Sequence, residues 1–255
     1  MKLYFLQTAF KLINKFYSEL DSKRFSLKVA KINEEQFLTE EVFRLLKEDG
    51  FQLIMSRVRS EDIALINFLE DNNFRTKDVQ LTYRFDLAKS KINHAYANSA
   101  LLIREATAAD ASDLEAIAAD CFSGYGHYFA DKKLNEQAVV EVYKDWTTRS
   151  IHDSDISDKF FVAEHQGKIA GYLSFKERIT ENGVYSFGGI GAVGKNFQSG
   201  NVFSSLTIKG LEWGLANSHL WQEHNVLNIN YPVNRVFSKL GFYIYKSETT
   251  LHVWL

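Results

Sequence analysis

One cysteine, Cys121, and one proline, Pro232, occur in the 255 residues. A lone thiol excludes an intrachain disulfide framework and any zinc site built from several thiolates, and it suits a reducing compartment. With a single proline there is no proline-rich linker. An excess of one charge is missing too: 30 Lys and Arg stand against 32 Asp and Glu, a formal net charge of −2. Wholesale binding to a nucleic-acid backbone needs a basic balance, so no nucleic-acid partner is expected. No run of about 18 uninterrupted apolar residues occurs, so no segment is expected to span a bilayer. Met1-Lys2-Leu3-Tyr4-Phe5-Leu6 begins like a leader, but Lys11 and Lys15 interrupt it and no small-residue cleavage site follows. The expectation is a cytoplasmic protein without a membrane partner. The seven histidines show no ligand spacing such as His-Glu-x-x-His, so no metal is expected.

What is present is apolar and aromatic: 45% hydrophobic residues can fill a sizeable core, and the length suits two modest domains. The polar stretch from Lys89 to Ser99 has little periodicity and follows the strand-like Val79–Phe85, which puts a domain boundary near residue 95. The first part, 1–95, reads as a small α/β domain. Phe25–Ile32 is expected as a strand and Thr39 as the cap of a helix ended by Gly50. A strand at Phe51–Met55 follows. Ser60 is expected to cap a helix carrying Ile63, Ile66 and Leu69, before a strand around Leu81.

The second part, 100–255, repeats the alternation at greater length. A strand at Leu101–Glu105 precedes a helix capped by Thr107, with Asp110 in its first turn where an acid favours the helix dipole. Residues 121–134 read as a loop and 136–150 as a helix with Val139, Val142, Tyr143 and Trp146 on its buried face. Gln166-Gly167 joins two strands as a hairpin turn. A strand at 184–193, a glycine-bearing loop, a helix from 201, a strand at 226–229, a helix at 232–240 and closing strands complete it. Strands alternating with helices give an α/β class, and the first part's alternation implies a mostly parallel sheet.

The loop Gly194-Lys195-Asn196-Phe197-Gln198-Ser199-Gly200-Asn201 lies between a strand and a helix. Such a loop can aim backbone N–H groups at a pyrophosphate, or be an ordinary connection. It is neither a Walker loop nor a dinucleotide GxGxxG. One strand later comes Asn230-x-x-Val233-x-x-Val236-Phe237-x-Lys239-Leu240-Gly241-Phe242. This resembles the Asn-x-x-Ala-x-x-Leu-Tyr-x-Lys-x-Gly-Phe run of the GNAT acyltransferases. The order of elements and the opening Ile103-Arg104-Glu105-Ala106-Thr107-Ala108-Ala109-Asp110 resemble that family as well, over about residues 101–255. Asp21-Ser22-x-x-Phe25-x-x-x-Val29-Ala30-x-Ile32, Cys121-Phe122-Ser123 to His127-Tyr128-Phe129 and Tyr143-x-x-Trp146 are similar to sugar-nucleotide N-acyltransferases of the dTDP-fucosamine acetyltransferase type.

The resemblance implies a two-domain α/β GNAT fold, a mixed central sheet flanked by helices, with a smaller α/β N-terminal domain that is a degenerate relative of the second. It implies transfer of an acyl group, acetyl or a longer or hydroxylated one such as 3-hydroxybutanoyl, from acyl-CoA to the amine of a dTDP-linked amino-deoxy-sugar, for O-antigen or another surface polysaccharide. A homodimer is compatible with it. Backbone groups of Ile190, Gly191, Ala192 and Val193 would pair with the pantetheine arm. Those of Gln198, Ser199, Gly200, Asn201 and Val202 would hold the pyrophosphate, and Asn230 would bond the cofactor. Two departures stand out. The loop's glycines are missing or shifted by one, and Phe237 stands where the family's tyrosine protonates the leaving thiolate, beside the cofactor. His127 and Glu177 are candidates for the base, each also readable as a surface group. Tyr125, His127, Tyr128 and Tyr143 could stack on thymine, with Lys132, Lys133 or Arg149 on the diphosphate. Cys121 reads as a buried thiol. The rival readings are a peptide N-acetyltransferase and a non-catalytic acyl-CoA sensor.

Overall fold

The computed structural model describes residues 13–255. The leader-like Met1–Leu6 and Lys11 lie outside the described residues. The chain divides into two compact units. The first runs to Gln80 and adds Gly126–Val139 and Ser247–Leu255; the second is Leu81–Tyr125 with Val140–Lys246.

In the first unit the chain forms α1 (Glu19–Phe25), β1 (Val29–Lys31), α2 (Glu40–Glu48), β2 (Leu53–Arg59), α3 (Ile63–Asp71) and the start of β3 (Arg75–Asp86). The sheet order is β1-β2-β9-β3, where β9 is Tyr243–Trp254. β2 runs parallel to β1 and antiparallel to β9, in register from Leu53↔Trp254 to Arg59↔Glu248. The period-two pattern sorts the two faces. Ile54, Val58, Leu251 and Val253 turn to one core with Phe43 and Leu46 of α2, Leu69 of α3 and Phe74.

Three expectations are corrected here. Phe25–Ile32 is not one strand: α1 ends at Phe25, Ser26 is left-handed at φ 53°, and only Val29–Lys31 is extended. Acids in the first turn of α1 and bases in its last complement the helix dipole. Asp62, not Ser60, caps α3, its side chain accepting from the Leu65 N–H at 3.0 Å, while the Ser60 hydroxyl bonds Thr249 and Ser247. The sheet is not mostly parallel: β2 is parallel to β1 over three residues but antiparallel to β9 over seven. Thr39 caps α2 as expected, accepting from Val42.

The second unit contains β4 (Leu102–Glu105), α4 (Ala111–Cys121), β5 (Lys159–His165), β6 (Lys168–Thr180), β7 (Gly183–Val193), α7 (Val202–Ala216), β8 (Trp221–Leu227) and α8 (Tyr231–Leu240). The short helix α5 (Gly126–Ala130) falls in the first unit, and α6 (Glu136–His152) begins there. The strand order is β3-β8-β7-β6-β5-β4. Neighbours from β4 to β7 are antiparallel and β7 runs parallel to β8. Gln166 and Gly167 both take positive φ, 51° and 75°, as the hairpin between β5 and β6 requires.

Helices cover both faces of this sheet. α7 lies on the side of Phe161, Leu173 and Phe175, with Val202 and Leu206 in the contact. A Cβ at Gly210 would overlap the Phe175 ring, so the glycine sets how closely α7 approaches. On the opposite side the Tyr172 hydroxyl meets Thr147 of α6 at 3.0 Å. Trp146 does not join that buried face. It is 38% exposed, because the stripe runs through Val139, Val142, Tyr143, Thr147 and Ser150. The polar stretch Lys89–Ser99 belongs to this unit, with Ile92 and Tyr96 packed on the cluster of Tyr83, Phe85, Ile208 and Leu211. Among the described residues no helix is long and apolar enough to cross a membrane.

Candidate active site

β7 and β8 pair over three residues only, Ser186↔Gln222, Phe187↔Glu223 and Gly188↔His224. Beyond Gly188, β7 continues along β6 to Val193, and a bulge opposite Leu173–Phe175 bends it. β8 runs on without it to Leu227. The backbone of β7 from 189 to 193 therefore has a strand partner on the β6 side and none on the β8 side. The point of separation is chemically marked. A Cβ at Gly188 would collide with the His224 imidazole, so only glycine lets the two strands meet there. His224 is buried, which pushes its pKa down to about 3. It is neutral and accepts from the Gln222 amide at 2.9 Å.

The parted strands open onto a cavity of about 720 Å³ lined along one side by Gly191, Ala192 and Val193. α8 supplies a second wall. Asn230 caps it, its side-chain oxygen accepting from the Val233 N–H at 3.4 Å, and Pro232 in the first turn fixes the entry angle. Val233 and Val236 face the cavity. The end of α4 and the residues after it form a third wall. The Cys121 thiol donates to the Val193 carbonyl at 3.2 Å. Phe122 stacks on Tyr143 at 4.6 Å and 8°. The Tyr143 hydroxyl donates to the Tyr125 carbonyl at 2.9 Å, and the Leu227 N–H reaches the Tyr125 hydroxyl at 3.5 Å. Lys195, Gln198 and Ser199 of the connecting loop and Phe203 of α7 close the fourth side. Asp120 and Lys195 sit 3.5 Å apart at the exposed rim.

The residues singled out in the sequence fall into three groups. Gly191, Ala192, Val193, Gln198, Ser199, Asn230 and Tyr125 line the cavity together. Ile190, Gly200, Asn201, Val202 and Tyr143 frame it from behind. The Ile190 carbonyl accepts from Ser174, Asn201 takes the left-handed φ of 53° that starts α7, and Val202 is buried. Phe237 lies outside the lining. It is 1% exposed and packs on Tyr83, His224 and Phe242 at ring distances of 4.8–5.1 Å.

The third group is elsewhere. His127 and Tyr128 belong to the first unit. His127 Nδ1 bonds His252 Nε2 at 3.0 Å, and the Tyr128 hydroxyl donates to buried Asp21 at 2.8 Å. Burial first, then His252, Arg57 and Lys31, hold His127 well below its ordinary pKa. Lys133 stands over the Trp254 ring in that same unit. Glu177 is in the second unit but not in the cavity wall, and pairs with the buried His219 at 2.9 Å. Arg149 of α6 is 3.5 Å from Asp153, the residue after the helix.

Reading by motif missed Phe203, Ile229, Val233 and Val236 as wall residues. The helical spacing of Val233 and Val236 beside Asn230 was a usable signal. Cys121 is half-buried rather than enclosed, and burial raises its pKa, so it rests as a thiol.

No protein-family profile matches the chain, and no curated protein is similar to it. Solved structures are. A tandem GNAT protein from the clavulanic acid biosynthesis pathway, determined without AcCoA, superposes with a TM-score of 0.59 at 14% identity over 84% of this chain and 67% of its own. A GCN5-related N-acetyltransferase from Kribbella flavida gives 0.58 at 10% identity, over 88% and 79%. Another from Sphaerobacter thermophilus gives 0.57 at 11% identity, over 86% and 67%. The likeness is one of fold: the chain has the mixed α/β architecture of the GNAT acetyltransferases.

Proposed function

We propose that this chain is an acyl-CoA-dependent N-acyltransferase. The observation that carries the reading is the parting of β7 from β8 beside a cavity bounded by the 194–201 loop. The free edge of β7 suits an extended amide-bearing arm, added as a further strand. The start of α7 suits an anionic group. The apolar faces of Phe122, Phe203, Val233 and Val236 suit an acyl chain.

In the transfer a neutral amine nitrogen bonds the thioester carbonyl carbon, the C–S bond breaks, and the amine proton passes to water. N–H groups of the open β7 edge would stabilise the oxyanion. The leaving thiol has a free pKa of about 8.5, so its thiolate departs near neutral pH without an acid from Phe237. Proximity supplies most of the rate.

For the acceptor we propose the amine of a dTDP-linked amino-deoxy-sugar, on the resemblance around Cys121-Phe122-Ser123 and on the aromatic ring that Tyr125 presents to the cavity. We also read the first unit as a worn copy of the second. Two helix ends support this. The Phe74 N–H returns to Leu69 O at 2.9 Å past left-handed Asn73, and the Phe242 N–H returns to Phe237 O at 3.0 Å past left-handed Gly241.

The test is thiol release with mass spectrometry of products. It uses acetyl-, 3-hydroxybutanoyl- and longer acyl-CoA against dTDP-3-amino and dTDP-4-amino sugars and peptide amines. One sugar–acyl pair turning over above the rest is the expected result. Turnover on peptides alone overturns the sugar, and CoA binding with no turnover overturns the enzyme in favour of a sensor.

A further inference from the structure

The polar stretch Lys89–Ser99 runs along α7. His94 lies 3.7 Å from Glu212 near the helix C-terminus, and Tyr96 packs into the cluster under the helix. Asn98 reaches the other end. Its Nδ2 donates to the Gly200 carbonyl at 2.9 Å, and its backbone N–H donates to the Ser205 hydroxyl at 2.9 Å. The same Ser205 hydroxyl donates to the Asn201 carbonyl at 2.9 Å, alongside the Ser205 N–H at 2.9 Å. Asn98 is itself braced, since its Oδ1 accepts from the Ala100 N–H at 2.9 Å.

These bonds decide where α7 starts. The Asn201 carbonyl accepts the Ser205 N–H one turn on, and the Gly200 carbonyl lies one residue before it, just outside the helix. Asn98 supplies the donor for the Gly200 carbonyl. Asn201 then adopts φ 53° and ψ 23°, outside the helix, and the chain turns sharply into Val202. The first N–H groups of a helix have no acceptor within it, so fixing the start fixes which of them face outward.

Resting on the acyl-CoA reading above, we infer that Asn98 is a positioning residue. Clasped to Gly200 and Ser205, it holds the 198–202 backbone in the form that receives the pyrophosphate of CoA. It touches neither the reacting carbonyl nor the acyl chain; it acts through the loop.

The experiment is calorimetric titration of wild type, Asn98→Ala and Ser205→Ala with CoA and with pantetheine, which lacks the diphosphate and nucleotide. His94→Ala, which alters the other end of the strap, is the control. Asn98→Ala is expected to weaken CoA about tenfold and leave pantetheine unchanged, Ser205→Ala to follow in the same direction, and His94→Ala to change neither. Equal loss for both ligands in Asn98→Ala, or loss for neither, overturns the inference while CoA binding by wild type keeps the acyl-CoA reading. Wild type that binds neither ligand overturns both. A thermal melt of each variant separates loss of the loop from loss of the fold, and if Asn98→Ala does not fold, Ser205→Ala decides by the same ratio.

Discussion

His252 in the first unit and His224 in the second are both buried, yet they are satisfied in opposite ways. His252 is a link in a chain of polar groups. Its Nδ1 meets Asp131 at 2.8 Å and its Nε2 meets His127 at 3.0 Å, while the Trp254 indole donates to the same Asp131 oxygen at 3.1 Å. Burial works to raise the Asp131 carboxyl, but the bonds from His252 and Trp254 outweigh it and hold it well below the carboxylate range. An ionised Asp131 only accepts, so His252 carries its proton on Nδ1, accepts on Nε2, and leaves His127 Nδ1 to donate. Each proton is placed by the next partner. His224 accepts from the Gln222 amide and sits among the rings of Phe175, Phe237 and Phe242. A chain of buried polar groups is strong when complete and fragile at every link. An isolated imidazole among rings risks one bond.

Removing the carboxylate should break that comparison most widely. Asp131→Ala leaves His252, Trp254 and the nearby Lys77 ammonium without their acceptor, and is expected to cost about 3–5 kcal/mol in urea unfolding. A loss under about 1 kcal/mol would mean the chain is not a structural unit.

Acid should sharpen it next. His127, His252 and His224 all have folded pKa values below the ordinary 6.5, burial being the largest cause for each. Their stabilisation is therefore full above pH 6.5, because there neither state is protonated. It is lost as pH falls below that, since the unfolded chain takes up protons first. For His224 the loss continues toward pH 3, at up to about 1.4 kcal/mol per pH unit. For His252 the opposing pull of Asp131 shortens the window. His224→Phe should flatten part of the stability–pH slope between pH 6.5 and 4.5, and an unchanged slope would remove His224 from the account.

The smallest effect is expected from Phe237→Tyr. It puts a hydroxyl into the aromatic region, where the ring is buried away from the cavity. The expected outcome is about 1–3 kcal/mol of lost stability with turnover within twofold of wild type. A large gain in kcat would show that the hydroxyl reaches the leaving thiol.

Local codes were legible in the sequence. The Thr39 cap, the Gln166-Gly167 hairpin and the Asn230-to-Gly241 helix all stand where their residues say, because each is settled by neighbours within a few positions, whereas Thr107 caps the short 108–110 turn and Asp110 stands at the start of α4. Gly191, Ser199 and Asn230 could be brought to one cavity by the order of elements. What was not legible depends on distant partners. Nothing in Lys89–Ser99 announces that Asn98 meets a residue 102 positions away. Nothing in His127-Tyr128 announces Asp21 or His252, which draw that pair into the first unit, while Tyr125, two residues earlier, stays in the second. Trp146 missed the core because a helical stripe is wide enough to admit Tyr143 and Thr147 and still leave it at the edge.

The pairing of β2 with β9 also has a consequence for the order of synthesis. Leu53–Arg59 is made before the second unit, and its antiparallel partner, ending at Trp254, only after it. Until then β2 has β1 on one edge and an open edge on the other, the exposure that invites pairing with other chains. A fragment ending near residue 95, or a ribosome stalled before residue 248, would therefore yield a first unit with a missing strand, because that unit closes only after residues 247–255 are made.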